Sequence, residues 1–179
     1  MKCIVFCDNS LRELINFRED VIDSYAELGY KVYLISPKNR EYTPKYSNIT
    51  HIPIKLYRSS MNPLRDFLYL LTLVRIYIKL NPDFIFHYTV KPNIYGSFAA
   101  WITRIPSAAM IAGLGFLFSE KNLKARLGRF MYKLAMKIPK IIFVLNKMNK
   151  DLLISKGLAK PSQIIFLRGG EGINLEKFY

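Results

Sequence analysis

Short apolar runs alternate with longer segments of helical period along the whole chain. Each run has the length of a β-strand and is apolar on both faces, whereas the longer segments repeat their apolar residues every three or four positions. The alternation predicts seven strands, which cover 2–7, 31–36, 49–54, 84–88, 107–112, 140–145 and 163–167. It predicts helices over about 12–28, 62–80, 92–103 and 121–137, with a short one that ends near 156.

Strands that are apolar on both faces and separated by helices are typical of a parallel sheet, because parallel strands need crossover connections that cover both sides. The chain is therefore predicted to be an α/β protein with a doubly wound, mostly parallel, Rossmann-like sheet. Its 179 residues suffice for one such core. Ligands bind outside the carboxyl ends of the strands in these sheets, so the residues after strands one, four, five and seven form the candidate site.

The charge of the chain is strongly basic and uneven. Hydrophobic residues make up 51% and charged residues 22%, which excludes a disordered chain. Lys and Arg number 27 against 13 Asp and Glu, a net charge of +14, and residues 121–179 hold thirteen of the basic residues and three of the acidic ones. An excess of this size indicates an anionic partner: nucleic acid, anionic lipid or a phosphate-bearing substrate.

The predicted helix over 121–137 is basic and amphipathic. Its apolar stripe recurs at spacings of three and four, and consists of Leu123, Leu127, Phe130, Met131, Leu134 and Ile138. Another face carries four cations: Arg126, Arg129, Lys133 and Lys137. This pattern favours contact with an anionic membrane surface. The alternative is that the cations are the solvated face of an ordinary surface helix.

Several common sites are excluded by their missing motifs. The turn after strand one has no glycine, so it lacks the dinucleotide fingerprint, and neither a phosphate loop nor a nucleophile elbow occurs. Cys3 and Cys7 are predicted to be small buried hydrophobes that cannot form a disulfide with each other, which favours a reducing cytoplasm. No metal site, cofactor, signal peptide or membrane span is expected.

Polar residues follow the central strands. Asn9 and Ser10 after strand one can cap the next helix or contact a ligand hydroxyl. His87 and Tyr88 at the end of strand four, with Lys91 and Asn93 behind them, form a denser polar cluster than a turn requires. For single residues the alternatives are a core histidine at His87 and a capping residue at Asn93.

Glycine-rich loops follow the later strands. Gly113 and Gly115 after strand five can present backbone N–H groups to a phosphate. After strand seven, Arg168 precedes three glycines in four residues, at 169, 170 and 172, which indicates a hinge.

Three segments resemble the N-terminal domain of bacterial family 4 glycosyltransferases of the GT-B fold. They are YTVKPNIYGSFAA (88–100), AGLGFLF (112–118) and GGEGINLEKF (169–178), and Asn16-Phe17-Arg18 and Asn81-Pro82-Asp83 are also similar. Members of this family build capsule, lipopolysaccharide or lipid-linked oligosaccharides. The nearest resemblance is to the subgroup of N-acetylgalactosaminyltransferases that act on undecaprenyl-diphosphate-linked sugars.

The resemblance implies a domain organisation. Residues 1–168 would be a Rossmann-like acceptor-binding domain, the N-terminal half of a GT-B enzyme, and 169–179 the start of an interdomain hinge. The nucleotide-sugar domain with its pair of glutamates has no counterpart in the chain. The whole enzyme would be a retaining hexosyl or N-acetylhexosaminyl transferase that acts on a lipid-linked or cell-surface glycan at the cytoplasmic face of the membrane. The chain alone is not expected to transfer sugar.

The resemblance also suggests roles for residues, which are listed by role. His87 and Tyr88 would be catalytic; Asn9, Ser10, Arg18, Lys91 and Asn93 would bind the acceptor; Gly113, Gly115, Arg168 and Gly172 would face the phosphates; Arg126, Arg129, Lys133 and Lys137 would face the membrane. The chain departs from the family in lacking a glycine-rich loop after strand one. It also has Phe86 and Tyr88 at the positions of the family's His-x-His pair. An alternative function is a basic Rossmann-like module that binds nucleic acid or anionic lipid.

Overall fold

The computed structural model describes residues 1–38, 40–58, 62–114, 123–170 and 172, with the backbone alone at 123 and 124. The described residues form one parallel sheet of seven strands in the order β3-β2-β1-β4-β5-β6-β7. The strands are β1 (Cys3–Cys7), β2 (Lys31–Ser36), β3 (Ile49–Pro53), β4 (Phe84–Tyr88), β5 (Ser107–Ile111), β6 (Ile141–Val144) and β7 (Ile164–Phe166). The predicted Rossmann-like α/β fold is confirmed.

Five α-helices connect these strands within the described ranges. They are α1 (Leu11–Glu27), α2 (Pro63–Leu80), α3 (Ser97–Thr103), α4 (Leu123–Ala135) and α5 (Lys147–Ser155). A π-helical segment (Pro92–Gly96) leads into α3, and a 3-10 turn (Pro161–Gln163) precedes β7. The predicted helix over 92–103 is therefore present, but its first five residues have π geometry.

Side-chain caps set the starts of three helices. Ser10 Oγ accepts from Glu13 N at 3.3 Å, Asn62 Oδ1 accepts from Leu64 N at 3.0 Å, and Asn146 Oδ1 accepts a bond at the start of α5. These caps satisfy backbone donors that the first helical turn leaves without partners. The capping alternative considered for Ser10 is therefore confirmed.

The two faces of the sheet carry different numbers of helices. Among the described helices, α1 alone packs on the face that presents Ile4 and Phe6, while α2, α3, α4 and α5 cover the other. On the α1 face, Phe143 is only half-buried and Ile165 is 43% exposed. Among the described residues, the predicted cover on both faces is thus complete over β1 and β2 and partial over β6 and β7.

The two cysteines lie in β1. Both are free and buried, as predicted, and burial raises the pKa of the Cys7 thiol to about 12.

The π-helical segment packs against the imidazole of His87. A Cβ atom added at Gly96 would lie 2.4 Å from His87 Cδ2 and 2.5 Å from Nε2, so only glycine fits beside this ring. On its other side the ring is bonded to Tyr77, whose hydroxyl oxygen is 3.0 Å from His87 Nε2. The ring is therefore wedged between α2 and the π-helical segment.

Gly96→Ala is expected to destabilise the fold by about 1–3 kcal/mol, because overpacking at a buried contact displaces its neighbours. Urea denaturation checks this. Gly113→Ala is the matched control, since a Cβ there meets no atom within 4 Å and the backbone needs no positive φ. Equal stability of the two variants would contradict the packing of His87 against Gly96.

Candidate functional site

The carboxyl ends of β1 and β4 lie side by side at the point where the strand order reverses. Cys7 is in register with His87, so Asp8 and Asn9 after β1 lie beside Tyr88 and Thr89 at the end of β4. This switch point is the usual ligand site of a doubly wound sheet. It brings together four of the predicted site residues, Asn9, Ser10, Arg18 and Tyr88, and adds Asp8, which was not predicted.

Asp8 is a fully buried carboxylate. Asn9 N donates to its Oδ1 at 2.5 Å, and Thr89 Oγ1 lies 3.4 Å from the same oxygen. Burial raises its pKa to about 6, although Arg18, the Asn9 backbone and Thr89 each favour the charged form. The sequence signal that could have revealed Asp8 is its place as the first residue after the central strand.

Two hydrogen-bond acceptors at this point have no hydrogen-bond partner among the described residues. They are Asp8 Oδ2 and Asn9 Oδ1, both buried. Buried acceptors are normally paired, and each exception calls for an explanation. Because both atoms can only accept, a hydroxyl or N–H group is the chemistry that would satisfy them.

Thr89 next to this pair has a backbone φ of +67°. A β-branched residue in the left-handed region is a true outlier, at a cost of about 1–3 kcal/mol, and such outliers cluster at functional sites.

Arg18 reaches the same site from α1. Its guanidinium carbon is 4.5 Å from the centroid of the Tyr88 ring, and Nη1 donates to Glu13 O at 3.2 Å. The side chain is buried, so its charge is held by the ring and by Asp8 rather than by water. This arrangement presents a fixed cation beside the two acceptors.

His87 does not join this site. It points to the opposite face of the sheet from Tyr88, is fully buried, and its Nε2 is bonded to Tyr77. Burial lowers its pKa to about 3, so the ring is neutral. The structure thus places His87 as a core histidine, and gives no support to a catalytic role in which it touches substrate.

Lys91 and Asn93 have structural partners in the π-helical region. Lys91 Nζ is 2.5 Å from Asp66 Oδ1, and Tyr95 donates its hydroxyl to the other oxygen of Asp66 at 3.0 Å. Asn93 Nδ2 donates to Met110 O at 2.9 Å. Asp66 therefore neutralises the positive charge of Lys91, which was predicted to bind the acceptor diphosphate. Lys91 anchors the segment to α2, and Asn93 anchors it to β5.

The glycine-rich loops are described in part. Gly113 and Arg168 are exposed, whereas Gly115 lies outside the described residues, as do most positions of the predicted hinge. Gly169, Gly170 and Gly172 all have positive φ, near 88°, 88° and 74°. Such a run suits glycine alone, which is compatible with a hinge.

The basic helix presents its apolar stripe to the outside. Three residues of the predicted apolar stripe, Leu127, Phe130 and Leu134, are 56%, 59% and 41% exposed. The core face of α4 consists instead of Ala125, Tyr132 and Ala135, followed by Met136. Arg126, Lys133 and Lys137 are exposed and Arg129 is half-buried, so cations adjoin an exposed apolar stripe.

Among the described residues, no three His, Cys, Asp or Glu side chains converge as a metal site requires. None of the described helices is long and apolar enough to cross a bilayer.

Sequence comparison finds two matches. The family model described as "Glycosyl transferase 4-like" matches residues 11–146. The chain is 31% identical over 186 residues to the N,N'-diacetylbacillosaminyl-diphospho-undecaprenol alpha-1,3-N-acetylgalactosaminyltransferase of Campylobacter jejuni. That alignment covers 98% of this chain and 48% of the relative, so the chain spans about half the length of this curated relative.

Solved structures share the fold. A UDP-N-acetylglucosamine 2-epimerase from Rickettsia bellii matches 96% of this chain and 45% of its own with a TM-score of 0.67 and 17% identity. A sucrose-phosphate synthase from Thermosynechococcus elongatus matches 100% of this chain and 50% of its own with a TM-score of 0.67 and 13% identity. At these identities the likeness is one of fold alone.

Asp8→Asn is expected to stabilise the protein at neutral pH. Between 3.8, the ordinary carboxyl pKa, and about 6, the folded protein binds a proton that the unfolded chain does not. The carboxylate therefore costs stability as pH rises through this window, about 2–3 kcal/mol when complete. Denaturation at several pH values should show an advantage of the variant that disappears near pH 4. His87 is present in both proteins, so its protonation cancels in the comparison.

Proposed function

The chain belongs to the glycosyl transferase 4-like family, and from this membership we propose that it is the acceptor-binding half of a sugar transferase. The observation that carries the proposal is the 31% identity across 98% of the chain to a transferase whose name specifies a diphospho-undecaprenol acceptor. The whole enzyme would move a hexose or N-acetylhexosamine from a nucleotide sugar, with retention, to a lipid-diphosphate-linked or cell-surface glycan. The nucleotide sugar would bind in a domain outside this chain.

In this proposal the acceptor binds at the switch point between β1 and β4. Asp8 Oδ2 and Asn9 Oδ1 accept hydrogen bonds from sugar hydroxyls, because these two buried atoms lack partners among the described residues. Arg18, fixed over Tyr88, faces the negative charge of the acceptor diphosphate. Tyr88 itself remains the candidate to orient the reacting hydroxyl.

The leaving diphosphate needs stabilisation during transfer. Arg168 and the backbone N–H groups near Gly113, Gly115 and Gly172 can supply it, since fixed donors aimed at developing charge lower the barrier. No metal or cofactor is needed in this scheme.

The exposed side of α4 supports a location at the cytoplasmic face of the membrane. Leu127, Phe130 and Leu134 can enter the interfacial region of a bilayer, while Lys133 and Lys137 face anionic headgroups. Each such cation contributes about 1 kcal/mol near an anionic surface. A transferase with a lipid-linked acceptor requires this proximity.

Acceptor binding without transfer is the first expectation. Isothermal titration calorimetry with a short-chain polyprenyl-diphosphate N-acetylhexosamine should show binding, and titration with a UDP-linked N-acetylhexosamine should show none. Asn9→Ala should weaken acceptor binding by roughly fivefold, the effect of one lost hydrogen bond, whereas Ser24→Ala on the exposed side of α1 should not. A radiolabelled-sugar assay should detect no product. Turnover by the chain alone, or binding of the nucleotide sugar in place of the acceptor, would contradict the proposed division of labour.

Membrane association is the second expectation. In co-sedimentation with vesicles of phosphatidylcholine and phosphatidylglycerol, Lys133→Gln with Lys137→Gln should lower the partition coefficient by roughly tenfold or more, since two cations are removed. Lys31→Gln with Lys38→Gln removes the same charge from exposed positions beside β2 and is the matched control. Equal loss in both double variants would mean that net charge, not α4, mediates docking.

A further inference from the structure

A groove of about 680 Å³ opens at the amino edge of the sheet, opposite the switch point. Its walls come from the end of α3 and from the segments that enter β5 and β6. The residues that matter here are Trp101, Ile102, Arg104, Ser107, Ile138 and Lys140. Because Ser107 begins β5 and Lys140 precedes β6, this groove is separate from the candidate acceptor site.

The lining combines exposed apolar surface with positive charge. Trp101 is 67% exposed and Ile102 is 50% exposed, while Arg104 and Lys140 are exposed cations. None of the described residues that line the groove is acidic. Such a surface suits a ligand with an anionic head and an apolar body.

Ser107, one of the residues that line the groove, carries a buried hydroxyl. Ser107 is 2% exposed, and its Oγ has no hydrogen-bond partner among the described residues. A buried hydroxyl can donate one hydrogen bond and accept others. An oxygen of a bound phosphate would satisfy its donor.

Arg104 occupies a position at which glycine would be easier. It caps α3 in the left-handed region, with φ 59° and ψ 25°. At the corresponding position α2 ends on Asn81, with φ 43°, and α1 is followed by Gly29, with φ 81°. Gly and Asn are the residues that adopt this conformation readily. The fold alone therefore does not explain the arginine, which lines the groove and adopts this conformation at a cost in stability.

The groove continues the exposed side of α4. Ile138, three residues beyond the end of the helix, lines the groove, and Lys137 beside it is exposed. We propose that the groove seats the phosphate headgroup of an anionic phospholipid when α4 lies on the membrane, an inference that rests on the proposed membrane location. Arg104, Lys140 and the Ser107 hydroxyl hold the phosphate, and Trp101 lies at the level of the headgroups.

A lipid is favoured over a soluble phosphate because of the apolar wall. Trp101 and Ile102 would remain in water around a free phosphate, whereas a bilayer covers them. The long stems of Arg104 and Lys140 can lie along the same apolar surface while their charged ends reach the headgroup.

The chain holds one tryptophan, so intrinsic fluorescence reports on this groove directly. Vesicles of phosphatidylcholine with phosphatidylglycerol should shift Trp101 emission to the blue and protect it from acrylamide, and brominated acyl chains should quench it. Inorganic phosphate or glycerol phosphate should neither shift the emission of Trp101 nor protect it from acrylamide. If the protein co-sediments with vesicles while Trp101 emission stays unchanged, docking uses α4 without the groove, which overturns this proposal but not the membrane location. If neither signal appears, both fail. A blue shift with soluble phosphate would overturn the choice of a lipid.

Arg104→Gly gives a sharper test, because two effects of opposite sign are expected. The variant should have a higher thermal midpoint, since glycine relieves the left-handed conformation, and its affinity for anionic vesicles should fall about fivefold through loss of one cation. Asn81→Gly is the matched control at another left-handed cap and should leave vesicle affinity unchanged. Lys140→Gln should lower the affinity without raising stability. Unchanged vesicle affinity in both groove variants would overturn the proposal.

Discussion

The direct pairing of β1 with β4 is the constraint on which the rest of this structure depends. Because these strands are neighbours, β2 and β3 extend the sheet to one side and β5 to β7 to the other. The reversal leaves an opening at the carboxyl ends of the two central strands. Asp8 after β1 and Thr89 after β4 meet in that opening, and α1 brings Arg18 to it. The same pairing places the His87 ring under the helices of the opposite face, where Gly96 and Tyr77 enclose it.

Several residues of the proposed sites are in conformations or environments that stability alone would not favour. Asp8 is a fully buried carboxylate, Thr89 is a β-branched residue at positive φ, and Arg104 is an arginine at a glycine-like cap. Natural proteins tolerate such costs where a side chain has a role besides packing. His87 differs from them in its packing: Tyr77 is bonded to its Nε2 and Gly96 lies against its ring, although its Nδ1 has no hydrogen-bond partner among the described residues.

Sequence patterns predicted the seven strands, most helix bounds and the Ser10 cap of α1, because these depend on periodicity and on local hydrogen bonds. They did not distinguish His87 from Tyr88. Adjacent residues of a strand point to opposite faces of the sheet, and the way the helices cover those faces decides which of the two side chains lies at the candidate site. The ion pair of Lys91 with Asp66, 25 positions away on another helix, has no signal in the sequence around Lys91. On α4 the apolar stripe was recognised, but the small Ala125 and Ala135 pack against the core, which turns Leu127 and Phe130 outward. Long-range contacts of this kind have no local signature.

The two proposed sites lie at opposite edges of the sheet, and α4 follows the path between them. It leads from the carboxyl side of β5 back to the amino side of β6, and its 13 residues span about 20 Å at the usual rise of an α-helix. A helix that lies parallel to the bilayer, with its exposed apolar stripe in the interfacial region, has both of its ends near the headgroups. The groove at one end would then fix the protein to a lipid phosphate, while the other end keeps the carboxyl edge close to the membrane surface. A lipid-diphosphate acceptor could reach Asp8 and Asn9 from that surface without leaving the bilayer, which is why membrane orientation and acceptor binding are coupled in this arrangement.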